Sequence, residues 1–372
     1  ISLVVIPLAV YALSGSIGLL AGSLGARLLI GSVVAGAGGH LADRYDRKSI
    51  ILASYLLRAA VIGSLIVLPS SGWLFAAVGI VGGAVGPLDN PSTEAWLRSR
   101  MPHNLQGIAT MRQIARACSG LVGPALGGLV LALSTTKVAL AVDAATFVVA
   151  LLLIASLSAP RSPVVVLDAV DDAAAPVSGL RQIGGYTRRD PVLRVVFTAL
   201  FLSDLAVAVC LVAAVAYLSD LRGAPTGAYG WALAAYSAGA LAGLPLAGSG
   251  TWRIALAPLL RRAAVAYGVI CLAGVAVEQW WLLALSWLVW GIAFGPESIV
   301  TDTRIAATTP PALLGRIYAA RSAVGMWAMA SGYAVAGALG SSVGPRTLIV
   351  GAGVLLLVVS PAAISAATVS AR

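Results

Sequence analysis

Gly39-His40-Leu41-Ala42-Asp43-Arg44-Tyr45-Asp46-Arg47-Lys48 is a densely charged stretch in a chain that otherwise avoids charge. Only 10% of the 372 residues are Asp, Glu, Lys or Arg, whereas 59% are hydrophobic; the mean hydropathy is +0.96. A soluble domain is about 45–50% apolar and about 25% charged. Both departures point to an integral membrane protein. A membrane-spanning helix takes about 20 mostly apolar residues. Such runs flank the stretch on both sides and recur from one end of the sequence to the other. The stretch therefore reads as a short polar hinge between two spanning helices, in an all-α membrane architecture.

Outward from the hinge, apolar segments fall at about 1–12, 15–38, 49–68, 72–96, 104–132 and 137–158, then at 192–219, 225–248, 258–277, 280–304, 312–340 and 345–368. This predicts twelve transmembrane helices in two six-helix bundles, over 1–158 and 192–372, joined by a linker over 159–191. The linker carries Pro160, Pro163, Pro176 and an acidic patch of Asp168, Asp171 and Asp172, the composition of a solvated connector. Its end, Gly179 to Arg194, has the character of a short basic helix at the interface. Ile1 already lies inside an apolar run, without a charged n-region or a cleavage site. The run is not read as a signal peptide, and the first helix is expected to lack its beginning.

The formal net charge of +10 does not describe a nucleic-acid-binding domain, because the basic residues collect in the gaps between apolar runs. Of those in gaps and at the C-terminus, 15 fall on one side and 3 (Lys137, Arg222 and Arg346) on the other. The excess side is expected to be cytoplasmic. The hinge, the linker and both termini are then expected on the cytoplasmic side of a plasma (inner) membrane. Trp73, Trp280 and Trp281 then fall at outer ends of helices, Trp96 and Trp252 at inner ends. Cys118, Cys210 and Cys271 show neither disulfide nor metal spacing. No metal or cofactor is expected, and the cysteines read as packing residues. His40 and His103, in or beside loops, read as solvated.

A faint internal repeat is present. Pro102-x4-Gly107 leads into the fifth segment and Pro310-x4-Gly315 into the eleventh, each followed by an intramembrane arginine, Arg112 and Arg321. Two six-helix halves with a site between them is a known transporter plan. Gly39-x-Leu41-Ala42-Asp43-Arg44-x-Asp46-Arg47-Lys48 resembles the signature loop between helices two and three of the major facilitator superfamily, with Asp46 where many members have Gly. Ser119-x3-Gly123-Pro124-x2-Gly127-Gly128 is similar to the Gly-Pro motif of its antiporter branches, with Ser119 in place of Gly. Asp143-Ala144-Ala145-Thr146-Phe147, the linker end through Pro191-Val192-Leu193-Arg194, and Pro310-x4-Gly315-Arg316-Ile317 resemble the branch of macrolide-efflux and enterobactin exporters.

The resemblance implies that Gly39, Asp43, Arg44 and Arg47 belong to a conformational latch. A carboxylate such as Asp43 can accept hydrogen bonds at a helix N-terminus, where the dipole favours an anion. The family implies that this helix is the eleventh and that the contact holds the outward-facing state. It also implies an acidic partner for Arg47 near the end of helix four, Asp89 or Glu94. Read without the family, the hinge is an ordinary positive-inside loop. Gly123, Pro124, Gly127 and Gly128 combine a kink with small surfaces that let backbones approach. They either seal the cavity against proton leak or serve plain helix packing.

Each charge at membrane depth costs at least about 2.5–3.5 kcal/mol on insertion scales, so it should meet a cavity or a partner. The acids are Asp89, Glu94, Asp143, Asp204, Glu297 and Asp302; the bases are Arg27, Arg58, Arg112, Arg116, Arg304 and Arg321. Asp204, near the middle of the seventh segment, and Glu297, in the inner part of the tenth, are the proton-coupling candidates, with a buried structural pair as the alternative. A carboxyl out of water favours its neutral form, which suits a carrier that exchanges protons as access alternates. Asp302 is expected to pair with Arg304. Arg112 and Arg116 share a helix face; they either bind an anionic substrate or hold Asp89 and Glu94. Asp143 reads as an anchor. Trp287, Trp290 and Trp327 lie at membrane depth, lining a cavity for flat lipophilic compounds or facing lipid and neighbouring helices.

The expectation is a monomeric secondary transporter that exports small amphiphilic molecules against protons, a proton-coupled importer of a small metabolite being the alternative. An enzyme is not expected: His-Glu-x-x-His and paired cysteines are absent from the sequence, so no catalytic residues are assigned. Gly-x4-Gly-Lys is absent too, which argues against an ATP-driven pump.

Overall fold

A computed structural model describes residues 1–100, 105–157, 190–248, 255–276 and 278–369, with the side chains of 35–44, 91, 98–100, 105–106, 109–110, 113, 311–312 and 369 outside that description. The linker, and the reading of Gly179 to Arg194 as an interfacial helix up to position 189, lie outside the described residues.

Every regular element among the described residues is helical. The helices are α1 (Ser2–Ser14), α2 (Ile17–Arg44), α3 (Arg47–Val67), α4 (Gly72–Arg100), α5 (Leu105–Leu133), α6 (Thr136–Ser156), α7 (Pro191–Asp220), α8 (Ala228–Gly243), α9 (Leu256–Gly274), α10 (Trp280–Thr308) and α11 (Pro311–Val343). A 3-10 turn at Leu244–Gly248 extends α8. The last helix, α12, comprises Pro345–Val354, a π turn at Leu355–Val359, and Ser360–Val369. Among the described residues ten helices are long and apolar enough to cross a membrane, and α1 is a shorter apolar one.

Local chemistry sets the helix ends. Gly15 closes α1 at φ 62°, and its N–H donates to the Tyr11 carbonyl at 2.8 Å; a left-handed C-cap favours glycine because no Cβ is strained there. Asp190 caps α7, its Oδ1 accepting from the Val192 and Leu193 N–H groups at 2.8 and 3.2 Å. Pro191 follows at the first helical position, where its missing N–H costs nothing.

The hinge differs from its expected form. Helix α2 runs on to Arg44 and α3 begins at Arg47, so Tyr45-Asp46 alone separates the two helices. Asp46 makes so abrupt a restart possible: its carboxylate accepts from the Ser49 N–H and hydroxyl, both at 2.9 Å. An N-cap of this kind is worth about 1 kcal/mol. The polar residues upstream of the break thus belong to the last turns of a helix.

Two compact units divide the chain at α7, α8 and α11. Val212–Ala234 and Tyr333–Pro345 group with α1–α6, and the rest of α7–α12 forms the second unit. In the first unit α4 packs on α1, α2 and α3, and α3 packs on α6. In the second, α9 packs on α10 and α12. There α8 and α10 also meet backbone to backbone through Gly239 and Gly243 on one helix and Gly291 and Gly295 on the other. Small residues four apart on both helices allow this approach in a bilayer, where lipid gives no hydrophobic reason for helices to associate.

Candidate functional site

The second unit holds the candidate proton site. Between α7 and α11 lies a cavity of about 330 Å³ lined by Leu200, Asp204, Tyr318, Arg321, Ser322, Gly325 and Met326. The Asp204 carboxylate rests directly on the backbone of α11: a Cβ at Gly325 would stand 2.8 Å from Oδ2. Glycine at 325 makes that position possible. Arg321 shares the cavity but spends itself on Asp302 through an ion pair. The expected partner of Asp302 was Arg304, but the two stand two positions apart on α10, a spacing that puts their side chains on different faces of the helix.

Glu297, on α10, accepts a hydrogen bond from Tyr267 Oη of α9 at 2.5 Å. The Tyr267 ring stacks on Trp290, centroids 5.2 Å apart and planes at 19°. Glu297 belongs to the same compact unit as Asp204 and Arg321. Tyr267 carries no signal of its own in the sequence; its spacing from Glu297 is 30 positions.

The aromatic candidates separate. Trp290 is 5% exposed and fixed by its stack on Tyr267, so it supports the site from the helix interface; Trp327 is 64% exposed. Cys210 and Cys271, isolated in sequence, bring their Sγ atoms to 3.8 Å between α7 and α9.

In the first unit, the acids expected for Arg47 have other partners. Asp89 accepts from Arg58 Nη2 at 2.5 Å, and Glu94 forms an ion pair with Arg112. Helical geometry explains this: Arg58 and Asp89 face one another across the α3–α4 contact, whereas Arg47 stands at the first residue of α3. An ion pair with Glu94 is one of the two readings that the sequence left open for Arg112. Gly39, Asp43 and Arg44 have side chains outside the described residues. Lys48 does show a function: Nζ donates to the Ala155 and Leu157 carbonyls at 2.9 and 2.6 Å, capping the C-terminus of α6. A cation is favoured at that end of a helix dipole. Asp143 is anchored, accepting from the Ser2 hydroxyl.

The Gly-Pro motif makes close helix contacts. A Cβ at Gly128 would stand 2.8 Å from the Gly227 carbonyl oxygen, and one at Gly230 would stand 2.7 Å from both Gly128 Cα and the Pro124 carbonyl oxygen. Gly127 faces Val4 of α1. Thr226 Oγ1 donates to the Leu131 carbonyl at 2.9 Å at the same junction. Nothing larger than hydrogen fits between α5 and the start of α8.

The sequence profile of the Major Facilitator Superfamily matches residues 1–217. The chain belongs to that superfamily. It is a multi-pass membrane transporter with the major facilitator fold of two six-helix bundles. The uncharacterized MFS-type transporter YfiS of Bacillus subtilis (strain 168) is 25% identical over 332 residues, covering 86% of this chain and 78% of its own. Among solved structures, a bacterial homologue of the iron transporter ferroportin in an inward-facing state aligns with a TM-score of 0.71 at 13% identity, over 98% of this chain and 93% of its own. The nucleoside transporter NupG aligns at 0.68 and 14% identity, over 98% and 96%. A D-xylose-proton symporter aligns at 0.65 and 16%, over 96% and 92%. At such identities these likenesses establish the fold.

Proposed function

We propose that this transporter exports small amphiphilic molecules in exchange for protons, by alternating access, from the plasma (inner) membrane with both termini in the cytoplasm. The observation that supports the reading is the state of two intramembrane carboxyls, Asp204 and Glu297. One carboxyl lies open to a cavity, with its neighbouring arginine already committed to Asp302; the other is held by a tyrosine hydroxyl that can donate to it in either state. A carboxyl without a permanent counter-charge gains and loses a proton at lower cost than one locked in an ion pair. Asp89, tied to Arg58, is an example of the locked kind.

Asp43 acts as the latch between the inner ends of the helices, with Gly39, Arg44 and Arg47 shaping the same segment, and the Gly123–Gly128 contacts seal the path against proton leak. The sugar symporter among the structural relatives keeps import of a small metabolite in view as the second direction of the same machine. Asp204→Asn and Glu297→Gln test the carrier assignment. Each is expected to abolish proton-driven transport in proteoliposomes while leaving substrate exchange; unchanged pH-dependent transport in both variants would refute it. Dyes, macrolides and siderophores form the substrate screen for that assay.

A further inference from the structure

The first unit holds a second cavity, of about 160 Å³, in which, among the described residues, Arg27 and Arg58 are the charged lining residues and no acid takes part. The two arginines differ in what holds them. Arg58 Nη2 donates to Asp89 Oδ1 at 2.5 Å and contacts the Val85 and Gly86 carbonyls at 3.4 and 3.3 Å. Its guanidinium carbon lies 5.3 Å from the centre of the Tyr55 ring and 5.9 Å from that of Phe147. Its Nε–H is buried with no hydrogen-bond partner.

Arg27 makes neither a hydrogen bond nor an ion pair among the described residues. Its side chain lies across Gly83, in space that any Cβ on α4 would fill. Gly79, Gly82 and Gly86 leave the same wall without side chains. Two arginines therefore line one cavity, and among the described residues a carboxylate partners just one of them. A charge at membrane depth is retained where it meets a pathway or a partner. A guanidinium fork matches the planar, two-oxygen geometry of a carboxylate. Phe147, Ile6 and Ile62 supply apolar walls for the remainder of a ligand.

We propose that this cavity binds a carboxylate group of the transported molecule, with Arg27 as its counter-charge. The assignment rests on the reading of the chain as a transporter of small molecules and narrows the substrate class to those that carry an acid on an apolar body.

The test is equilibrium binding of radiolabelled benzoate to the purified full chain in nanodiscs, with benzamide, inorganic phosphate and chloride as competitors. Saturable benzoate binding that benzamide does not displace is expected. Arg27→Gln should weaken it at least about tenfold, the loss that follows when one partner of a desolvated charge pair is removed. If Arg27→Gln no longer elutes as a monodisperse protein, Gly83→Ala decides: its Cβ displaces the Arg27 side chain while every charge remains, and the same weakening is expected. Absent benzoate binding, equal competition by benzamide, or wild-type binding in these variants would overturn the proposal. Displacement by phosphate or chloride at equal concentration would overturn it too, assigning the site to an inorganic anion. Binding requires no gradient, so its failure leaves the proton-coupling reading intact, and a failure of Asp204→Asn to uncouple transport leaves this site intact.

Discussion

Asp89 is 5% exposed and ionically paired with Arg58 across two helices. Removing one partner of such a pair strands a charge where water cannot reach it, which costs about 3–5 kcal/mol. Arg58→Ala is therefore expected to lower the thermal unfolding temperature of the detergent-solubilised protein markedly, and Arg58→Ala/Asp89→Ala to recover part of the loss. A single variant as stable as the parent would contradict the pairing. Both residues were visible in the sequence as charges at membrane depth, but their mutual choice was not: 31 positions separate them, and Arg47, Arg112 and Arg116 competed on equal terms. Tyr267 was invisible for a related reason. A tyrosine in an apolar run gives no sign that its hydroxyl faces a carboxylate 30 residues away.

Helix periodicity and length made the elements legible at the next scale. The apolar runs set all twelve helices to within a few residues, except at the hinge. There Arg44 and its polar neighbours continue α2, because helix propensity does not end where hydrophobicity does and Asp46 supplies the cap that restarts the chain. The Gly-Pro segment gave two readings, and geometry strengthens the packing one: Gly128 meets Gly227 and Gly230 with no room for a methyl group. Gly128→Val is expected to force α5 and α8 apart, at the roughly 1–3 kcal/mol typical of overpacking. The readouts are a lowered melting temperature and slower substrate exchange. Exchange and stability equal to the parent's would mean that the contact is dispensable. The α8–α10 crossing through Gly239, Gly243, Gly291 and Gly295 went unread, since 41 glycines in one chain make any single pair uninformative without a partner helix.

Composition and charge asymmetry revealed the class of the whole molecule, and the superfamily profile over residues 1–217 agrees with what the hinge suggested. The cargo was not legible, because it depends on which side chains surround a cavity and not on which run of residues is apolar. The latch proposed for Asp43 belongs to this scale, since a latch trades one global state for another. Asp43→Asn is expected to change turnover, with substrate affinity little altered; wild-type transport by that variant would return the hinge to the role of a topological loop. The central claim, exchange of substrate for protons, is tested most directly in proteoliposomes of the full chain with an imposed pH gradient and a pH-sensitive dye inside. Substrate should accumulate against an opposing proton flow, reversing when the gradient is reversed. Movement of substrate and protons in the same direction would contradict it.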